Sequence, residues 1–379
     1  VTVLPPGPSF SDAEYQRRWQ AVAAKLAEYE LDAIAITGPQ FVPYVSGTFD
    51  DHVWPTVVLI GPDAKPAYVC REYDLDWVEH SSRIRDIRSY FGDDDHTQVW
   101  ADLLRERGLE RARLGIDLAT YGATPADIFA LQAALPNLTI IDATRLMMWQ
   151  TVVKSAEEIA VMRHAMEIGK IGFQALFSSL HEGAVEWKVQ AHVFAAMRET
   201  GGGHNHPPII FGERSALPHV DSGTNTLKPG DVVYTELGGE WLGYEAGCCR
   251  TALLGRNPDA EAVYALAVEA EEAAIAAIRP GVVTAEVDRA YRSVVSGSPL
   301  GIVSHSRVGY QVGIDWMRRG NMSVHPGGTD VLEPGMTIHM PAILYRPGKF
   351  SVAYSETVLV TEDGCEALSG NLSKELVLV

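Results

Sequence analysis

Three side chains stand where acid–base chemistry is most readily built: His219, Glu236 and Glu356. His219 follows Pro218 in the polar stretch that precedes the first core strand, and imidazole moves protons near neutral pH. Glu236 falls within Val232–Leu237 and Glu356 within SETVLV, both otherwise apolar and strand-like. A carboxylate in such a strand is costly unless it is paired or used. Period-two alternation turns Glu356 to the same side as Val358 and Val360. The expectation is that both glutamates face one cleft, orienting a substrate and its attacking nucleophile while His219 shuttles the proton. Arg250 can hold a substrate carboxylate or be consumed in a buried pair with Glu356. Cys249 can bind or attack a substrate as a thiolate, or be a small buried hydrophobe.

Further candidates border these. His339 and Pro341 share a strand face by alternation, so His339 is a candidate pocket wall. Phe211 and Arg214 follow the glycine- and proline-rich GGGHNHPP segment, which reads as a lip over a cleft rather than a metal motif.

The elements that must position these groups fall into two units. Apolar runs at Ala33–Thr37, Thr56–Ile60, Ala67–Cys70, Arg113–Ile116 and Leu138–Asp142 alternate with helical patterns over 11–30, 98–107 and 124–134. Ser11 is a plausible N-cap for the first helix. This predicts an α/β domain with a mixed sheet over 1–150. Residues 151–379 carry a different unit with an internal repeat. A helix then Gly183-Ala-Val185 recurs as a helix then Gly281-Val-Val283, 98 residues on. Leu-x-Pro-Gly at Leu227 recurs at Leu332, 105 residues on. The duplication would bring two strand sets around one cleft.

Composition limits the partners. At 379 residues the chain has room for two domains, and 46% hydrophobic with 21% charged residues is an ordinary globular balance. A net charge of −18 without a basic cluster argues against nucleic acid. No apolar run is long enough to cross a membrane, and VTVLPPGPSF does not read as a secretory signal. The four cysteines show no zinc spacing, which predicts reduced thiols in a cytoplasmic protein.

Four motifs together resemble the pita-bread family of creatinase, Xaa-Pro dipeptidases and methionine aminopeptidases. They are KSAEEIAVMRHA, LPHVDSGTNTLKPGDVV running on to GYEAGCCRT, VLEPGMTIHMPAILY, and SETVLVTEDGCEALS. The resemblance implies a creatinase-like α/β N-terminal domain and an α+β pita-bread catalytic domain with a pseudo-twofold repeat. It also implies five metal-ligand positions. Two aspartates eleven residues apart become Glu236 and Gly247, and the histidine becomes Ser306, or His305 after a one-residue slip. The penultimate glutamate becomes Pro341, and the last is placed at Glu356.

Losing these carboxylates leaves no charge balance for two ions, so no metal or other cofactor is expected. The pattern is nearest to ectoine hydrolase and creatinase, although Gly247 stands near the aspartate that ectoine hydrolases use. The expected activity is metal-independent hydrolysis of an amide, amidine or guanidine C–N bond in a small polar molecule. A metal-dependent Xaa-Pro dipeptidase, a lyase or cyclase, and a non-catalytic binding module remain alternatives. The resemblance also makes His305 and Tyr310 candidate substrate contacts. It implies a homodimer in which Asp50, His52 and Trp54 of one subunit cap the other's site.

Overall fold

The computed structural model describes residues 10–49, 54–92, 96–204, 208–217, 219–304, 307–314, 316 and 322–379. The chain divides into two compact units between Thr151 and Val152.

The N-terminal unit is built on β1 (Ala33–Ile36), β2 (Val57–Ile60), β3 (Ala67–Arg71), β4 (Asp86–Tyr90), β5 (Arg113–Ile116) and β6 (Thr139–Asp142). Their order is β4-β3-β2-β1-β5-β6. β1–β2 and β2–β3 are antiparallel, whereas β3–β4, β1–β5 and β5–β6 are parallel, which makes the sheet mixed. Among the described residues six helices accompany it: α1 (Asp12–Leu26), α2 (Phe41–Ser46), α3 (Leu75–Ser81), α4 (His96–Glu106), α5 (Pro125–Ala134) and α6 (Thr144–Val152). Ser11 caps α1 by accepting from the Glu14 amide, satisfying one orphan donor of the first turn. One apolar core joins Trp100 and Leu104 of α4 and Leu131 of α5 to the sheet residues Ala33, Leu59, Val69 and Leu114.

The C-terminal unit opens with α7 (Ala156–Ser179), whose first turn is closed by a Ser155–Glu158 capping box. α8 (Glu186–Arg198) follows, and α9 (Pro258–Ala277) and α10 (Thr284–Val295) form the second helix pair. The first sheet contains β7 (Gly203–His204), β8 (Ile209–Phe211), β9 (Val232–Trp241) and β10 (Tyr244–Leu253). The second contains β11 (Gly309–Gln311), β12 (Ser323–Val324), β13 (Thr337–Arg346), β14 (Phe350–Val360) and β15 (Cys365–Ala367). A last short strand, β16 (Val377–Leu378), returns to pair with β10.

The duplication is visible bond by bond. Gly183 donates to the Leu227 carbonyl and Gly281 to that of Leu332, while Leu227 and Leu332 donate back to Ala184 and Val282. Isolated bridges Val185–Thr226 and Val283–Val331 complete the match. Gly230 and Gly335, which open the following strands, both have φ of 88°, a conformation glycine adopts without a Cβ penalty.

Three hydroxyls join the two sheets along β10 and β14. Thr251 Oγ1 accepts from the Ala353 amide and donates to its carbonyl, at 2.9 and 3.0 Å. Thr357 Oγ1 treats Gly247 the same way, at 3.3 and 2.7 Å. Between them, Ser355 Oγ accepts from the Cys249 amide at 2.6 Å. The seam satisfies backbone groups that would otherwise be buried without partners.

Candidate functional site

Strand register sorts the chemistry onto two faces. Glu236 and Cys249 are cross-strand partners on β9 and β10, so they share a face, and Arg250 turns to the other. On β14, Ser355 faces with Thr357, while Tyr354 and Glu356 face oppositely. The outer face packs on helices: Leu237, Cys248 and Ala252 join α7 and α8 in one core, and Tyr354 packs edge-on against Tyr264 of α9 at 6.3 Å.

The inner face gathers a connected polar cluster around Glu236. Glu236 Oε1 accepts from the Tyr310 hydroxyl at 3.1 Å and from Trp316 Nε1 at 3.3 Å. The Tyr310 oxygen lies 2.9 Å from His339 Nδ1, and His339 Nε2 lies 2.7 Å from Ser355 Oγ. His339 is wholly buried, whereas the Glu236 side chain keeps 20% of its surface exposed. Glu236 is thus the ionised-type group of this cluster that solvent, and hence a ligand, can reach. Burial raises its pKa above the ordinary carboxylate value, against the Tyr310 and Trp316 hydrogen bonds and the charge of His219. Burial, helped by the Arg307 charge, lowers His339 to about 3, which keeps the ring neutral. Tyr234 and Tyr345 also feel the Glu236 charge and pack on the small core of Cys249, Ile343 and Ala353.

Other expected site residues lie elsewhere or act differently. Glu356 does not share the pocket with Glu236. It is buried on the outer face, where its Oε1 meets Arg250 Nη2 at 2.6 Å and the Tyr354 hydroxyl at 3.1 Å. Arg250 is spent there too, donating to the carbonyls of Cys249, Ser355, Leu372 and Ser373, so it is a structural anchor rather than a substrate contact. Phe211 is fully buried in the α7–α8 core, which removes it from any ligand. The Cys249 thiol is fully buried, and burial with the nearby Glu236 charge pushes its pKa well up, the opposite of an activated nucleophile. Tyr310 and His339 are too buried to touch a ligand directly and instead stand behind Glu236. Arg214 pairs with the buried Glu186.

His219 is exposed, with φ of 55°, in the turn before β9, close enough to influence Glu236. Trp54 is half-buried under the Arg71 guanidinium, 3.8 Å from the ring centroid. His305, Ser306, Asp50 and His52 lie outside the described residues. Sequence reasoning did not single out Ser355 or Trp316. Ser355 carried a legible signal, being a polar residue one step from Glu356 and therefore on the opposite strand face.

Two matched domains cover most of the chain, and its relatives mark it as an enzyme of the hydrolase/peptidase kind. Residues 18–153 match the creatinase/prolidase N-terminal domain, and residues 160–362 match metallopeptidase family M24. The chain belongs to metallopeptidase family M24. An uncharacterized hydrolase/peptidase, y4tL, of Sinorhizobium fredii is 28% identical over 95% of both chains. The ectoine hydrolase of Halomonas elongata is 26% identical, over 95% of this chain and 96% of its own. Among solved structures, the dipeptidase PepE of Mycobacterium ulcerans superposes with a TM-score of 0.86 at 25% identity, covering 98% of this chain and 100% of its own. The Xaa-Pro dipeptidase of Bacillus anthracis superposes at 0.84 with 21% identity, over 96% and 100%.

The family's name implies metal, and the donor set can be tested against it. Of the positions assigned to ligands, only Glu236 presents a carboxylate to the pocket face among the described residues. A side chain at Gly247 would run into the Leu237 carbonyl oxygen and Gly238, so the backbone leaves no room for an aspartate. Pro341 has no donor atom, and the β14 residue beside it on this face is Ser355, a neutral hydroxyl. Glu236, Cys249 and His339 do place ligand-type atoms within 4.8 Å of one another. However, the thiol holds its proton, and both His339 nitrogens are engaged by Tyr310 and Ser355. One carboxylate cannot balance a pair of divalent ions. These residues do not fit a two-metal centre.

Proposed function

We propose that this enzyme hydrolyses a non-peptide C–N bond, of the amide, amidine or guanidine type, in a small polar nitrogen-rich molecule, without a metal pair. The observation that carries the reading is Glu236, a partly exposed carboxylate with a raised pKa and neutral aromatic neighbours. A carboxyl so placed suits general-base catalysis near neutral pH. Glu236 takes a proton from water as the new C–O bond forms at the carbon. His219, at the exposed rim, delivers a proton to the nitrogen as the C–N bond breaks. The half-buried rings of Tyr234 and Tyr345 beside Glu236 can flank a planar or cationic nitrogen group. The ectoine hydrolase relative supports this substrate class.

The rival reading is a metal-dependent Xaa-Pro dipeptidase, favoured by the dipeptidase structures that share the fold. Appearance of a new free amino group from ectoine, creatine and related amides or amidines, with and without chelator, separates the two. Chelator-resistant turnover of one of these supports the proposal, and Mn²⁺-dependent cleavage of Xaa-Pro dipeptides overturns it. The proposal extends to a cytoplasmic homodimer in which Trp54, with Asp50 and His52, caps the partner's pocket. Light scattering on the eluted protein is expected to give twice the chain mass of 41.3 kDa.

A further inference from the structure

The hydrogen bonds behind Glu236 run in one direction only. An ionised Glu236 can only accept, so the Tyr310 hydroxyl spends its single proton on Oε1. The 2.9 Å contact between Tyr310 and His339 Nδ1 then requires the proton to be on Nδ1. A neutral ring protonated there has a bare Nε2, which must accept from the Ser355 hydroxyl 2.7 Å away. Ser355 in turn accepts from the Cys249 amide, a group that can only donate. Donor and acceptor counts match at every step, from a backbone amide to a carboxylate.

We propose that Ser355 and His339 are positioning residues for Glu236, locking the imidazole as its Nδ1–H tautomer and thereby aiming the Tyr310 hydroxyl at Oε1. The role rests on Glu236 as the reacting carboxylate. With Tyr310 and Trp316 both bound to Oε1, neither occupies Oε2, the oxygen left to take the proton from water. The competing explanation is that Ser355 merely stitches β10 to β14, as Thr251 and Thr357 do. Those two hydroxyls return their protons to the strand they accept from. Ser355 also meets the Cys249 thiol, which keeps its proton and can donate it to the serine oxygen, so the Ser355 proton goes to the His339 side chain, which leads to Glu236.

Long-range ¹H–¹⁵N spectra of the full-length protein, selectively labelled in the histidine ring, test this without a substrate. The His339 signals are assigned by their loss in His339→Asn. The wild type is expected to show a neutral ring protonated at Nδ1, the less common form of free imidazole. Ser355→Ala is expected to shift the unprotonated Nε2 resonance as its hydrogen bond is lost, and Ser355→Thr to restore it. A ring protonated at Nε2, or an Nε2 resonance indifferent to Ser355→Ala, overturns the proposal. So does displacement of the ring resonances by added Zn²⁺, which would show the nitrogens free for an ion. In turnover, Ser355→Ala is expected to lower kcat roughly tenfold with KM near wild type. Failure to turn over any C–N substrate refutes the hydrolase reading and leaves the tautomer result to be judged separately.

Discussion

Two carboxylates that look equivalent in the sequence have opposite fates. Glu236 keeps an accessible surface and neutral hydrogen-bonding neighbours, whereas Glu356 is enclosed and matched to Arg250. Glu236→Gln keeps the shape and removes the base, so it is expected to reduce turnover by roughly 10²- to 10⁴-fold with little change in stability, read from steady-state rates and denaturation midpoints. Glu356→Gln leaves Arg250 buried beside a neutral partner and is expected to cost about 3–5 kcal/mol of stability in urea titrations. Glu271 of α9 sharpens that contrast. It is fully buried, and burial with the Glu356 charge pushes its pKa well up, so it stands as a neutral acid. Glu271→Gln resembles that acid and is expected to change stability by less than about 1 kcal/mol.

At the scale of elements, the sequence pattern located five of the six N-terminal strands, the helices α1, α4, α5, α7 and α9 and the repeat, because period and turn residues are local properties, whereas the shorter α2, α3 and α6 went unread. β4 escaped notice because DIRSY alternates charge with a single aliphatic residue, and only pairing with β3 makes it a strand. The inner and outer faces of β14 were not separable either. Every residue of β14 is buried, so alternation shows that Ser355 and Glu356 oppose one another but not which one faces the pocket. The motif spacing did locate Gly247, and the structure adds why an aspartate cannot simply be restored there. Gly247→Asp is expected to destabilise the β9–β10 hairpin by about 1–3 kcal/mol without creating metal uptake. Denaturant titration and elemental analysis of that variant check both parts.

For the whole molecule, the buried neutral imidazole sets part of the acid stability. His339 is lowered from 6.5 to about 3, so between these values the unfolded chain binds the proton that the folded chain refuses. Its contribution is therefore intact above pH 6.5 and is lost as pH falls toward 3, at up to about 1.4 kcal/mol per pH unit. Replacing His339 with Asn is expected to flatten the stability curve over that window, measured by urea midpoints against pH. Among the described residues no helix is long and apolar enough to cross a membrane.

The most direct measurement is the metal content of the wild-type protein after exposure to Mn²⁺, Co²⁺ and Zn²⁺ and desalting. A site that among the described residues offers one ligand-position carboxylate, a protonated thiol and an imidazole engaged at both nitrogens is expected to retain less than about a tenth of an ion per chain. Retention of one or two ions per chain would contradict it and return the site to the metal chemistry of its family.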